Sequence, residues 1–163
     1  TYACNAVYRD FIPDYLVALD RHIGEEIANS YPLKEKPCYS TKINIQRYSD
    51  DFVLVPRNPR MNCGATATHI ARFDGHKEIY LLGFDSYNTD PKKVNNLYAG
   101  TNAYGKENEV YEYDIWTVQM VNLFTKYKDV DFYRVGSKII NAYKEIQNLR
   151  HISYEEFKTK INK

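Results

Sequence analysis

The segment 75–85 constrains the fold of this chain more than any other part of the sequence. It reads Gly-His-Lys-Glu-Ile-Tyr-Leu-Leu-Gly-Phe-Asp, an apolar run bounded by glycines that is typical of a fully buried strand. The segment 62–71 before it predicts a helix that opens near Gly64 and places small residues against that strand. A helix that leads into a buried strand favours an α/β fold, because crossover helices join parallel strands.

The rest of the sequence continues this alternation of strands and helices. Short apolar runs predict further strands over residues 2–4, 15–19, 38–41, 52–55 and 130–135. Helical patterns cover residues 21–29, 113–128 and 154–161. Ser153, with Glu156 three residues later, is a capping-box pattern that opens the last of these helices. Together they predict a Rossmann-like, three-layer α/β/α fold with one mainly parallel sheet, formed by residues 1–163 as a single domain.

The charge balance excludes some classes of partner. The chain has 22 Lys and Arg residues against 21 Asp and Glu residues, a formal net charge of +1. No overall field therefore draws it to nucleic acid or to an acidic membrane, and any anionic ligand must be held locally. No apolar run approaches the roughly 20 residues that span a bilayer, so we expect no membrane span and a cytoplasmic location.

The cysteines and the chain start add two further expectations. Cys4, Cys38 and Cys63 are odd in number and lack metal-type spacing, which predicts free thiols in a reducing compartment. No pair of histidines has ligand spacing either, so we expect no metal ion and no cofactor. The chain starts at Thr1 with a segment that already resembles a buried strand, and we therefore expect a further segment upstream.

Two aspartates follow predicted strands at the position where ligands bind in open α/β sheets. Asp20 ends the run 15–19 and Asp85 ends the run within 75–85, so each carboxylate is placed to meet a sugar hydroxyl or a metal ion. Asp85 is the stronger candidate, because Tyr87 and a long polar stretch follow it. The alternative is that the aspartate caps the next turn through its own backbone.

A second candidate feature is the start of the helix at Gly64. Backbone N–H groups of Gly64 and Ala65, at the positive end of a helix, suit a phosphate. Arg57 and Arg60 precede this helix and can clamp an anion with two parallel hydrogen bonds. The alternatives are that the glycine merely permits a tight turn and that both arginines are solvated.

Two stretches of the sequence resemble a known family. The run 75–87 consists of the segment 75–85 followed by Ser-Tyr. Together with Gly64, this run resembles the core of bacterial lipooligosaccharide sialyltransferases. Glycosyltransferase-like proteins of the motility-associated-factor group, including uncharacterised phage relatives, carry similar runs. The segment 4–11, Cys-Asn-Ala-Val-Tyr-Arg-Asp-Phe, is similar to the CN-x-x-Y/F segment of the same enzymes.

The resemblance implies a nucleotide-sugar domain with a specific set of binding residues. Asn5 would line the nucleotide pocket, and the turn at Gly64 and Ala65 would contact the donor. Tyr87, just after the Gly-x-Asp aspartate, and Tyr98, further along the chain, would hold the donor phosphate, which is expected to be of the CMP type. Phenol hydroxyls aimed at a leaving phosphate stabilise charge that develops in the transition state.

The sequence departs from the family pattern in two places. The first strand and the Gly-Asn-Gly-type loop of the family have no counterpart, because this chain starts at Thr1, as in an N-terminally truncated member. The family's general-base histidine is replaced by residues 107–109, in which Glu107 and Glu109 are the candidate bases. A carboxylate, with an ordinary pKa of about 4, is a weaker base unless burial raises that value.

These observations predict a glycosyltransferase-like domain that binds a nucleotide or nucleotide sugar and, if active, transfers a sugar. Two alternatives remain open. One is a non-catalytic binding or assembly module on the same scaffold, favoured by the missing glycine loop and histidine. The other is a pterin pyrophosphokinase-like phosphotransferase on the same scaffold. The sequence does not predict the oligomeric state, the sugar or the acceptor.

Overall fold

Neighbouring strands pair in parallel throughout the computed structural model of the chain, which describes residues 1–85, 96–105 and 113–162. One sheet has four strands in the order β1-β2-β3-β4 and the other has three in the order β5-β6-β7. These strands are β1 (Tyr2–Cys4), β2 (Tyr15–Ala18), β3 (Cys38–Ser40), β4 (Val53–Leu54), β5 (Glu78–Leu82), β6 (Asp131–Val135) and β7 (Leu149–Ile152). The predicted parallel α/β class is confirmed, although the described residues form two sheets where the sequence predicted one.

Helices separate the strands along the described parts of the chain. The α-helices are α1 (Arg21–Ser30), α2 (Lys42–Arg47), α3 (Cys63–Phe73), α4 (Tyr113–Lys126) and α5 (Tyr154–Ile161), and Asn5–Arg9 and Asn141–Tyr143 are 3₁₀ turns. The sequence predicted each α-helix except α2, and it missed strand β7. Within the described ranges, no helix is both long enough and apolar enough to cross a membrane.

The chain divides into two compact units. Of the described residues, 1–70 and 96–105 form the first unit, and 71–85 and 113–162 form the second. The division falls within α3, and the prediction of a single domain over residues 1–163 stays a prediction. Each sheet lies within one unit.

The sheet of the first unit carries a helical layer on each face. Side chains of successive strand residues point to opposite faces of a sheet. Leu16 of β2 packs in one buried cluster with Ile23 of α1. Val17, the next residue, packs in a second buried cluster with Ile70 of α3. The first unit therefore has the predicted three layers, with α1 and α3 on opposite faces.

Asn44 of α2 ties together the carboxyl ends of β2 and β3. This side chain is fully buried, and its Nδ2 donates to Ser40 Oγ at 2.9 Å and to the Leu19 carbonyl at 3.3 Å. Ser40 Oγ in turn donates to the Ala18 carbonyl at 2.5 Å. Gly24 of α1 permits this contact, because a Cβ at that position would lie 2.7 Å from Asn44 Nδ2. The starts of α1 and α2 are thus held at one edge of the sheet.

The second unit repeats this layered plan around its central strand β6. Tyr133 and Val135 pack on one face with Phe157 of α5. Phe132 packs on the other face, where its ring centroid lies 4.8 Å from that of Phe124 in α4. Helix α5 begins with the predicted capping box: Ser153 Oγ accepts from the Glu156 N–H at 3.1 Å and Glu156 accepts from the Ser153 N–H at 2.7 Å.

His151 of β7 is an unusual member of this unit. Both of its ring nitrogens are buried, and neither has a hydrogen-bond partner among the described residues. Arg134 is the neighbour of His151 on β6. The ring of Tyr143 stacks on the imidazole, with 6.4 Å between the two ring centroids. Burial, followed by the charge of Arg134, lowers the pKa of His151. The imidazole is therefore neutral in the folded protein at neutral pH.

We expect this histidine to weaken the fold in mild acid. Because its folded pKa lies below its unfolded value of about 6.5, the unfolded state binds the proton first, and stability falls as pH drops below about 6.5. His151→Phe keeps the stacked ring and should flatten the fall in unfolding free energy between about pH 7 and pH 5. Denaturation with urea at several pH values measures this, with the exposed His22→Gln as control. Parallel profiles for wild type and His151→Phe would refute the prediction.

Candidate functional site

Asn5 occupies the carboxyl end of β1 in a conformation that few residues adopt. Its φ of 53° lies in the left-handed region, which asparagine tolerates better than most non-glycine residues. The Oδ1 atom is buried and has no hydrogen-bond partner among the described residues. A buried carbonyl oxygen without a donor is costly, by about 1–3 kcal/mol, and such orphans are rare in folded proteins. The resemblance to sialyltransferases implied a nucleotide contact at this residue.

Cys63, the first residue of α3, brings this helix to the same edge of the sheet. Burial, followed by the charge of Asp20, raises the pKa of the Cys63 thiol to about 12. Hydrogen bonds to the sulfur from the backbone of Leu19, the Asn5 side chain and the backbone of Asp20 lower this pKa without offsetting the burial. The ends of β1 and β2 thus meet the start of α3, and Cys63 is a neutral thiol there. Cys4, Cys38 and Cys63 are all free.

The first turn of α3 satisfies part of its own backbone. Asn62 Oδ1 accepts from the Ala65 N–H at 3.0 Å, and the Asn62 carbonyl accepts from the Thr66 N–H at 2.9 Å. Gly64 is the second helical residue, and its carbonyl accepts from Thr68 Oγ1 at 2.9 Å. The sequence predicted that the Ala65 amide is available to a phosphate, but this amide already donates to Asn62. Any anion at this helix start must rely on its positive end and on side chains nearby.

The loop between β4 and α3 carries two exposed arginines in unusual backbone conformations. Arg57 has a φ of 47° and Arg60 a φ of 54°, both in the left-handed region. Asn58 Oδ1 accepts from the Arg60 N–H at 2.8 Å, which fixes the second of these turns. Non-glycine residues in this region cost about 1–3 kcal/mol and cluster at ligand sites. The loop brings two positive charges to the segment just before α3.

Tyr98, the predicted second phosphate ligand, lies in the described segment 96–105 of the first unit. Its hydroxyl donates to Asp10 Oδ2 at 2.7 Å, and the guanidinium carbon of Arg9 lies 5.6 Å from its ring centroid. The same guanidinium donates to Glu26 through Nε at 2.7 Å and Nη2 at 2.6 Å. Tyr98 is thus part of an ion-pair cluster centred on Arg9, which the sequence analysis missed.

A polar groove of ≈ 390 Å³ lies beside this cluster. It is lined by His22, Glu25, Glu26, Asn29, Asn102 and Ala103. Hydrogen bonds from Arg9 are the largest cause that lowers the pKa of Glu26 to about 2, so this carboxylate is charged at neutral pH. Two glutamates in the lining make the groove a poor place for a phosphate, in contrast to the arginine-bearing loop before α3.

Asp85 belongs to the second unit, where it pairs with a buried arginine. Arg134 is 1% exposed, and its Nη2 lies 3.7 Å from Asp85 Oδ1. Its Nε donates to the Phe84 carbonyl at 2.8 Å and its Nη1 to the Lys138 carbonyl at 2.5 Å. Arg134 therefore fixes the segments that follow β5 and β6. It was missed because a charged residue inside an apolar strand gives no sign of burial in the sequence.

The remaining predicted residues fall elsewhere. Tyr87, Glu107 and Glu109 lie outside the described residues, so their predicted roles at the donor phosphate and as general base remain predictions. Asn5, Gly64, Ala65, Arg60 and Tyr98 belong to the first unit. Among residues 1–85, 96–105 and 113–162, no group of three or more His, Cys, Asp or Glu side chains is arranged to hold a metal ion.

Comparisons of the chain with protein-family models, with curated proteins and with solved structures found no match. The resemblance to sialyltransferases and motility-associated-factor proteins therefore remains a prediction from the sequence. What the first unit defines is a parallel α/β sheet whose carboxyl edge carries two orphan amide oxygens, of Asn5 and Asn44, a helix start and two exposed arginines.

Proposed function

We propose that the first unit binds a nucleotide or nucleotide sugar at the carboxyl edge of its parallel sheet, as part of a glycosyltransferase-like domain. The observation that carries the proposal is Asn5, whose buried Oδ1 lacks a donor at the end of β1. A base amino group or a ribose hydroxyl supplies such a donor. The place agrees with the general rule that open α/β sheets bind ligands beyond the carboxyl ends of their strands.

Charge at the same edge supports a phosphorylated ligand. Arg57 and Arg60 are exposed, and an arginine can bind a phosphate through two parallel hydrogen bonds. The positive end of α3 adds a partial charge of the same sign. The resemblance to sialyltransferases adds Tyr98 of the same unit as a ligand of the donor phosphate, whereas the roles that it implies for Asp85, Tyr87, Glu107 and Glu109 stay predictions. Cytidine nucleotides are the class of ligand that the resemblance favours.

The proposal predicts a nucleotide-dependent rise in melting temperature. Saturating CMP at about 100 times its Kd should stabilise the wild-type protein by about 2.7 kcal/mol. Asn5→Gly keeps the left-handed backbone and removes the amide, and it should weaken binding about tenfold, as expected for one buried hydrogen bond. Arg60→Gln should weaken binding, whereas Arg47→Gln, at the end of α2, is the matched control for loss of one exposed charge.

The pattern of ligands separates the alternatives. Donor hydrolysis without an acceptor would support glycosyl transfer, and binding without any turnover would support the non-catalytic module. Magnesium-dependent loss of ATP would support the phosphotransferase. No shift with CMP, UMP, AMP, ATP or a CMP-sugar would contradict the proposal as a whole.

A further inference from the structure

Asp20 lies just beyond the carboxyl end of β2, directly before α1, and its backbone is held in place. Its φ of −79° and ψ of 143° are extended, as expected of the residue that precedes a helix. Its carbonyl accepts from the Gly24 N–H at 3.0 Å and from Nδ2 of the buried Asn44 at 3.5 Å. The starts of α1 and α2 therefore fix the main chain of Asp20.

The carboxylate of Asp20 does not cap α1. An aspartate before a helix ordinarily accepts a hydrogen bond from an amide of the first turn. The Asp20 side chain forms no such bond, and no hydrogen bond from another side chain in the described part of the chain engages it. Asp20 is also exposed. An acceptor group on a fixed backbone is thus left for a ligand.

Asp20 and Asn5 follow neighbouring strands and lie at the same edge of the sheet. Cys4 pairs with Val17 in the parallel register of β1 and β2. Asn5 follows this pair by one residue and Asp20 by three. Cys63, the first residue of α3, packs with Val17 in one buried cluster, and Cys4 packs against that cluster. The start of α3 therefore lies over the ends of the same two strands.

The charges at this edge suit different parts of a nucleotide. The positive end of α3 and the arginines before it attract a phosphate, which a carboxylate repels. A carboxylate has acceptors only, so its ligand must offer hydroxyl or amino donors. The ribose of a nucleotide lies between the base and the phosphate. Its 2′ and 3′ hydroxyls are donors on adjacent carbons, and the two oxygens of one carboxylate can accept from both.

We propose that the Asp20 carboxylate binds the 2′ and 3′ hydroxyls of the ribose and makes the site selective for ribonucleotides over 2′-deoxyribonucleotides. The inference rests on the proposed function and names the part of the ligand that the end of β2 recognises. A site that bonds a hydroxyl discriminates against the analogue that lacks it, because the polar group of the protein then loses its partner.

Calorimetric titration of wild type and Asp20→Ala with CMP and with 2′-deoxy-CMP tests the proposal. Wild type should bind CMP at least about tenfold more tightly than 2′-deoxy-CMP, as expected for one hydrogen bond to a charged acceptor. Asp20→Ala should bind CMP at least about tenfold more weakly than wild type, and its two Kd values should lie within about twofold of each other. Charge alone predicts the opposite sign, since the loss of a negative charge favours an anionic ligand.

Glu25→Ala is the matched control, because Glu25 is an exposed carboxylate of α1. It should keep the wild-type ratio of the two Kd values. A melting curve of each variant reports the fold. If Asp20→Ala does not fold, Asp20→Asn, which suits the start of a helix equally well, should lower the ratio in the same direction.

Equal affinity of wild type for CMP and 2′-deoxy-CMP would overturn the inference and leave the proposed function in place. An unchanged ratio in the Asp20 variant would do the same. Loss of CMP binding in Asp20→Ala with UMP binding retained would place the carboxylate at the amino group of cytosine, which also overturns the inference. If wild type binds no nucleotide, the proposed function and this inference fail together.

Discussion

Arg134→Met is expected to lower the free energy of unfolding by about 3–5 kcal/mol, the largest effect of any single substitution considered. The guanidinium is buried and donates to the carbonyls of Phe84 and Lys138. Hydrogen bonds from a charged donor contribute about 1.5–3 kcal/mol each, and the truncated side chain leaves both carbonyls without this donor. The loss should appear as a lower urea midpoint and as faster amide exchange in β6.

Arg150→Met is the matched control for this prediction, because it removes the same charge from the neighbouring strand β7. Its guanidinium is 61% exposed, and its ion pair with Asp131 spans 3.9 Å. Exposed pairs of this kind contribute about 0–1 kcal/mol. If the two variants lose similar stability, Arg134 does not fix the segments after β5 and β6. The claim that Arg134 holds the segment that carries Asp85 would then be wrong.

Arg9→Met is expected to release the segment 96–105, here called the tyrosine segment, from the first unit. The substitution removes two charge-assisted bonds to Glu26 and the bonds to Thr101 and Asn102. It also removes the contacts of the guanidinium with the rings of Tyr98 and Tyr104. Truncating one partner of such a pair costs about 2 kcal/mol or more, which corresponds to local exchange at least ~30-fold faster. The amides of Thr101 and Tyr104, which are bonded within the segment, report the opening.

The sheet provides the internal reference for this experiment. The Leu16 amide donates to the Pro37 carbonyl, and its exchange should change little in Arg9→Met. Lys36→Met is the control variant, because Lys36 pairs with an exposed aspartate, Asp14. Unchanged protection in the tyrosine segment of Arg9→Met would show that other contacts hold it in place.

The pH dependence of this ion pair has a definite sign. Hydrogen bonds from Arg9 lower the pKa of Glu26 to about 2, below the value of about 4.3 for an unfolded chain. The carboxylate therefore adds stability at pH values above about 4.3, and this contribution is lost as the pH falls towards about 2. The tyrosine segment should stay bound through the mild acid range in which His151 already weakens the second unit.

The strands and the longer helices follow from local sequence patterns. Continuous apolar runs predicted β2 and most of β5, because buried parallel strands lack polar alternation. Helix α2 was missed because it has only six residues, with Ile43 exposed and Asn44 buried, the reverse of the usual pattern. Strand β7 was missed because Arg150 and His151 interrupt its apolar run.

The arrangement of the site depends on contacts that local patterns do not encode. The sequence predicted Gly64 from its place at a helix start and Asn5 from a family resemblance, and the structure brings Asn5 to the start of α3 through the Cys63 sulfur. The burial of Arg134 and the placement of Tyr104 come from partners that are distant in sequence. Tyr98 and Tyr104 both lie against Arg9, and the hydroxyl of Tyr98 donates to Asp10.

The most direct test of the central claim is an NMR titration of the ¹⁵N-labelled protein with CMP. The claim is that the carboxyl edge of the first sheet is a nucleotide site. We predict saturable shifts in the amides of Asn5, Asp20 and Gly64, which lie at the ends of β1 and β2 and at the start of α3. Shifts confined to the opposite edge, at Tyr15 and Cys38, or no shifts at millimolar CMP, would contradict it.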